Sequence, residues 1–308
     1  MRSREQLHLT GLHVLDGAMA TELEARGCDL SSGIWSARVL EDSPNTVEAV
    51  HRDYLEAGAD CLLTASYQVS SEGYAELGLP PQAAKDALRL SVALAESARD
   101  SYAQHSSRHI WVAASLGPYG AVLHNGAEYH GNYKIAFDEL VEFHDRRIAV
   151  LVETNADLLA FETIPSLDEA GAILIALERH PDVAAWISFT CRDDAHVAHG
   201  ELLRECGQLL DGHPQIAAVG INCTAPGLIL PLLHNLRPAT SKPIVVYPNS
   251  GETWDGTERC WRGASDPVTW ASQTRSWRQA GAQVIGGCCR TGPQHIRLIR
   301  EAMHALPE

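Results

Sequence analysis

Nowhere in this chain do about 18 apolar residues run together, so no segment reads as a membrane-spanning helix. Positive charge is scarce: 24 Lys and Arg stand against 39 Asp and Glu, a formal net charge of −15. No basic stripe is present for a phosphate backbone or an anionic membrane surface, and neither nucleic acid nor membrane is expected as a partner. The opening stretch MRSREQLHLTGLHVLDG has no apolar core of the kind a secretory signal carries, which predicts a cytoplasmic protein. No proline- or glycine-rich linker divides the chain, so residues 1–308 are expected to fold as one domain. The hydrolytic zinc signature H-E-x-x-H is missing, and HVAH at 196–199 lacks the glutamate that would accompany it. The nucleotide fingerprint G-x-G-x-x-G is missing too.

What is present is a repeat of short apolar runs and longer amphipathic stretches. The runs are 13–17, 60–67, 110–118, 157–163, 185–190, 218–223, 244–251 and 283–289. They are continuously apolar rather than alternating, as strands of a parallel sheet covered by helices are. Between the first two, NTVEAVHRDYLEAGA sets Val47, Val50, Tyr54 and Leu55 on one stripe and ends at Gly58, a helix C-terminal residue. ASQTRSWRQAGAQ ends in the same way at Gly281. Eight such units in 308 residues predict a (β/α)8 barrel of the TIM type.

In that fold the last residues of the strands share one rim, where active sites lie. Here they include Asp16, Tyr67, Glu162, Thr190, Cys223, Asn249, Cys288 and Cys289. The segments 119–134 and 249–264, after the third and seventh strands, are long enough to form a lid. Of the eight cysteines, Cys28, Cys61, Cys191, Cys206 and Cys260 read as small buried hydrophobes in a reduced protein. The adjacent pair in VIGGCCRTGP (284–293) needs another reason, because neighbouring cysteines make a strained disulfide. Spacing alone also suits three unrelated buried thiols. Convergence of Cys223, Cys288 and Cys289 on one rim favours a soft metal site at the C-terminal ends of the strands, with Zn²⁺ the usual occupant. Gly286 and Gly287 would let the backbone bend there. A zinc site of three sulfurs is electron-rich, a poor Lewis acid for hydrolysis and better suited to holding a further thiolate as a nucleophile.

The motifs DGAMATELEARG (16–27), TASYQ (64–68), GPYGA (117–121), ETIP (162–165), GINC (220–223), VVYPNSGE (245–252) and GGCCRTGP (286–293) keep the order seen in the homocysteine S-methyltransferase family. The resemblance runs from residue 14 to about residue 300 and is nearest the single-domain enzymes that use S-methylmethionine. It implies a (β/α)8 barrel and Cys223, Cys288 and Cys289 as zinc ligands. It implies that Asp16 and Glu162 hold the ammonium of homocysteine. A helix cap for Asp16 and an ion pair with a rim arginine for Glu162 are the competing readings. The N–H groups of Gly17, Ala18 and Met19, at a helix start, suit the substrate carboxylate. Asn222 would orient substrate or serve a turn. Tyr67 matches a tyrosine that in some relatives takes the fourth zinc position before substrate arrives. Trp35, Tyr119 and Tyr129 face a sulfonium or pack within the lid, and Arg290 reads as a structural ion pair.

The reaction implied is methyl transfer from S-methylmethionine to homocysteine, giving methionine. S-adenosylmethionine as donor, and a selenol or another thiol as acceptor, are alternatives within the family. A non-catalytic zinc- or thiol-binding protein is the alternative outside it. The expected assembly is a monomer or small homo-oligomer.

Overall fold

All eight apolar runs become strands of a single parallel sheet in the computed structural model, which describes residues 9, 11, 13–30, 35–255, 260–262 and 267–305. In chain order the strands are β1 (His13–Val14), β2 (Cys61–Leu63), β3 (Trp111–Leu116), β4 (Leu158–Ile164), β5 (Ala185–Phe189), β6 (Ile216–Asn222), β7 (Ile244–Tyr247), β8 (Thr253–Asp255), β9 (Cys260–Arg262) and β10 (Ala282–Ile285). The sheet runs β1-β10-β7-β6-β5-β4-β3-β2, and a parallel bridge from Leu15 to Cys61 joins its two ends. The result is the closed (β/α)8 barrel expected from the sequence.

The seventh and eighth strands of the barrel end sooner than their apolar runs predict. β7 stops at Tyr247, because Pro248 has no N–H to continue the ladder, and β10 stops at Ile285 before the two glycines. The segment after β7 contains a small antiparallel hairpin, β8 with β9, that no alternation in the sequence announced. Among the described residues no helix is long and apolar enough to cross a membrane.

Two cores hold the barrel. The inner one is built almost wholly from strand residues, including Trp111, Ala113, Leu158, Ala160, Trp186, Ala218, Val245 and Val284. The outer one joins the opposite strand faces to the helices. The helix Pro44–Ala57 shows how the sequence builds this layer. Proline opens it, Val47, Val50, Tyr54 and Leu55 are fully buried, and Gly58 closes it at φ 112°. Each such side chain contributes about 1.5–3 kcal/mol on burial. Cys61, Cys191 and Cys206 are buried as expected and Cys28 is half-buried, while the Cys260 side chain lies outside the described residues.

Candidate metal centre and substrate site

The alternation that fills the barrel also builds the site. Along β3 the inward positions run Trp111, Ala113, Ser115; along β4 they run Leu158, Ala160, Glu162; along β5, Trp186 is followed two residues later by Ser188. Each strand thus turns from apolar to polar at its C-terminal end, and these groups bond one another. Ser115 donates a hydroxyl hydrogen bond to Glu162. Ser188 and Tyr247 bond through their hydroxyls, and Tyr247 also bonds Glu162. Ser115 and Tyr247 were missed in the sequence, although their even spacing from buried inward residues was the signal that could have found them.

The three sulfurs meet above this layer. Cys223 Sγ lies 3.4 Å from Cys289 Sγ, and all three thiols fall within 4.8 Å of one another. A tetrahedral ion with metal–sulfur bonds of about 2.3 Å asks for sulfur–sulfur separations of roughly 3.8 Å, which the cluster brackets. The residues therefore fit a metal. The backbone explains the convergence: Gly287 N–H donates to the Asp16 carbonyl (3.0 Å), Cys288 N–H to Pro248 (2.8 Å), and Ser250 N–H to Cys289 (3.0 Å). The GGCC segment is thereby laced between the ends of β1 and β7. Its glycines serve close approach rather than bending, since a Cβ on Gly286 would stand 2.6 Å from Leu15 Cβ and one on Gly287 would collide with Thr291. Cys223 itself sits at φ 47°, and Thr163 (61°) and Arg290 (65°) flank the site in the same left-handed region. Such strain, about 1–3 kcal/mol per residue, is typical of functional sites. Hydrogen bonds from Cys223 and Cys288 hold the Cys289 thiol well below the usual range.

Asp16 is not a helix cap. Its Oδ2 accepts the Leu63 N–H (2.8 Å), and its Oδ1 is buried with no partner. Burial, opposed by that N–H and reinforced by Glu162, pushes its carboxyl well above the ordinary range. Glu162 pairs with no arginine among the described residues; burial pushes it up to about 7 against the Ser115 hydrogen bond. Two buried carboxyl groups with no cationic side chain paired to them among the described residues, one with an orphaned oxygen, could receive an ammonium group.

The remaining expectations divide. The helix Met19–Ala25 does begin where predicted, but the Ala18 N–H already donates to the Thr291 carbonyl (2.9 Å). That leaves Gly17 and Met19 as the available donors at this turn. Asn222 is fully buried. Its Oδ1 accepts Thr163 N–H (2.7 Å) and Ser188 hydroxyl (2.9 Å), and its Nδ2 donates to Thr163 Oγ1 (2.8 Å) with Cys288 Sγ at 4.0 Å. It fastens β4 to β6 beside the cluster. Tyr67 bonds the Thr163 side chain, and the tyrosine that touches a sulfur is Tyr129, with its hydroxyl 3.4 Å from Cys223 Sγ. Tyr119 packs edge-on against Tyr133 and Phe143, an ordinary lid contact. Arg290 pairs with Glu252 (3.1 Å), and the Trp35 side chain lies outside the described residues.

The loop that brings Tyr129 to the cluster is fastened at both ends by one buried residue. Glu169 accepts the Tyr119 N–H (2.7 Å), the Tyr133 hydroxyl and His144 Nε2 (3.0 Å). Arg147, stacked 3.9 Å from the Phe143 ring centroid, bonds both His144 and the Gly117 carbonyl. Glu169→Ala would leave three donors unpaired, His144 fully buried and Tyr119 and Tyr133 partly so, the buried one costing about 1–3 kcal/mol. The expected result is a lower unfolding midpoint and rapid proteolysis within 119–134, with metal content retained; limited digestion beside a melting curve checks it.

A family model described as homocysteine S-methyltransferase matches residues 13–303. The chain is 48% identical over 293 residues to the homocysteine S-methyltransferase YbgG of Bacillus subtilis, covering 94% of this chain and 93% of that protein. It is 43% identical over 290 residues to the homocysteine S-methyltransferase of Escherichia coli, covering 93% and 94%. The solved metallated form of the Escherichia coli homocysteine methyltransferase MmuM superposes with a TM-score of 0.86 at 42% identity, covering 95% of this chain and 96% of that one. The closed barrel thus agrees with a solved relative, and the family match runs over nearly the whole chain: the chain belongs to the homocysteine S-methyltransferase family.

Proposed function

We propose that this protein methylates homocysteine to methionine, with S-methylmethionine as donor and with zinc held by Cys223, Cys288 and Cys289. The observation that carries the reading is the meeting of the three sulfurs with a buried carboxyl pair, Asp16 and Glu162, that has no ion-pair partner among the described residues. Zinc, when bound, would supply the positive charge that keeps an incoming thiol deprotonated near neutral pH.

The chain's own residues do the positioning. Asp16 and Glu162 grip the ammonium of homocysteine, and the N–H groups of Gly17 and Met19 face its carboxylate, so that the thiol is directed at the cluster. Ser115 and Tyr247 fix the Glu162 carboxylate, and Asn222 keeps the β4 and β6 ends in register beside the sulfurs. The loop carrying Tyr129 covers the site and limits water. The new sulfur–methyl bond forms as the sulfonium carbon–sulfur bond breaks, and that bond's electron pair returns to the donor sulfur, which leaves as a neutral thioether. No general acid is required, and none is proposed.

The relatives' names identify an acceptor but no donor, so the decisive experiment varies the donor. Purified protein with homocysteine should form methionine faster from S-methylmethionine than from S-adenosylmethionine at equal concentration. Equal or reversed rates would overturn the donor assignment, and no methionine from either would overturn the reaction.

A further inference from the structure

Glu128 is a carboxylate beside the sulfurs that the homocysteine contacts do not use. It lies in the turn Ala127–Tyr129, between Gly126 at φ 79° and the Tyr129 hydroxyl that touches Cys223. The turn is tightly placed: a Cβ on Gly120 would stand 2.6 Å from the Glu128 nitrogen, and Asn125 Oδ1 accepts the Ala127 N–H (3.1 Å). Glu128 Oε2 is buried with no hydrogen-bond partner, and among the described residues no arginine, lysine or histidine forms an ion pair with Glu128. The titratable groups that feel its charge are Cys223, Cys289, Tyr67 and Tyr129, all acidic. A carboxylate whose Oε2 is buried and unpartnered, amid thiols and phenols and bonded otherwise to its own N–H, calls for a cation from outside the protein.

The homocysteine ammonium is already met by two carboxylates, so a second cation is needed, and the methyl donor supplies one. Its sulfonium must approach the thiolate at the cluster, where Glu128 lies. We propose that Glu128 is the specificity-determining residue for a sulfonium donor: its carboxylate receives the cationic sulfur and distinguishes the donor from the neutral thioether left after transfer. This rests on the methyl-transfer reading above. The electrostatics are directional. Before transfer the donor sulfur is positive and attracted; after transfer its charge is gone and the attraction with it, which favours product departure. The carboxylate therefore acts on donor capture rather than on the bond-making step.

The test uses full-length metallated protein with Glu128→Gln and Glu128→Asp. With homocysteine saturating, Glu128→Gln should raise the KM for S-methylmethionine at least about tenfold, as loss of a desolvated charge partner does. Inhibition by methionine, the neutral thioether, should change less than about twofold on that account. Glu128→Asp should fall between the two proteins, and metal content and melting midpoint should stay at wild-type values. A donor KM unchanged in Glu128→Gln overturns the proposal. So does a parallel weakening of donor, homocysteine and methionine, which would mark Glu128 as loop packing. Wild-type protein that transfers from no sulfonium donor would instead defeat the methyl-transfer reading itself.

Discussion

Cys289→Ala removes bound metal and methyl transfer together. Cys289 Sγ lies 3.4 Å from Cys223 Sγ, and hydrogen bonds from its two neighbours lower its thiol's pKa. Deleting it leaves two sulfurs, Cys223 and Cys288, one short of the three ligands that the cluster offers. Loss of even an outer-shell partner weakens metal binding about 10–100-fold, and loss of a ligand should cost at least that. Metal analysis should fall from about one ion per chain to a small fraction. Methionine formation should fall by at least about a hundredfold. The barrel should survive, because Cys289 lies beyond β10 and contributes to neither core. Unchanged far-ultraviolet circular dichroism beside lost metal is the expected pair of results, and retained metal with retained turnover would contradict the assignment.

Asp16→Asn should do the opposite to the metal: leave it in place and abolish the response to homocysteine. The amide is nearly isosteric and still offers an oxygen to the Leu63 N–H, so the β1 end keeps its place. What disappears is the charge that faces the ammonium, and truncating one side of a buried charge pair costs about 2–5 kcal/mol. Homocysteine should bind at least about thirtyfold more weakly, read from KM or from direct titration. The pH dependence has a definite sign. Burial raises both carboxyls, Glu162 to about 7, and only their ionised forms hold an ammonium. Homocysteine binding should therefore weaken as pH falls through about 7, with a proton taken up on the protein as the ligand leaves. For stability the sign reverses. A carboxyl raised from its usual 4.5 to about 7 favours the fold below that window and destabilises it as pH rises, so the ligand-free site is held at a cost. Asp16→Asn should accordingly melt higher than the wild type in the absence of substrate, a conventional exchange of stability for binding.

The barrel was legible because its strands are short, continuous and apolar, and its helices carry clean stripes such as Val47, Val50, Tyr54 and Leu55. The sulfur cluster was legible because thiols at two strand ends have few other uses, and the fold sends those ends to one rim. The hairpin β8–β9 was not, since a three-residue strand has too little alternation to read. Asn222 and Tyr67 looked like ligand contacts because both stand at strand ends. Thr163, at a strained φ of 61°, accepts a hydrogen bond from Asn222 and bonds the Tyr67 side chain, tying both to the frame. Tyr129 and Glu128 were obscured for a different reason: their reach into the site depends on where Glu169, fifty positions from Tyr119, pins the loop. No local pattern encodes that. Ser115 and Tyr247 were recoverable, by counting two residues on from Ala113 and Val245 along an inward face.

Zinc dependence of homocysteine methylation is the most direct test of the account. Wild-type protein would be stripped with a chelator under reducing conditions, divided, and assayed for methionine formation from S-methylmethionine with and without added zinc. The account predicts no turnover from the stripped sample and full recovery as zinc approaches one ion per chain. Undiminished turnover by metal-free protein would contradict it, as would a fully zinc-loaded protein that leaves homocysteine unmethylated.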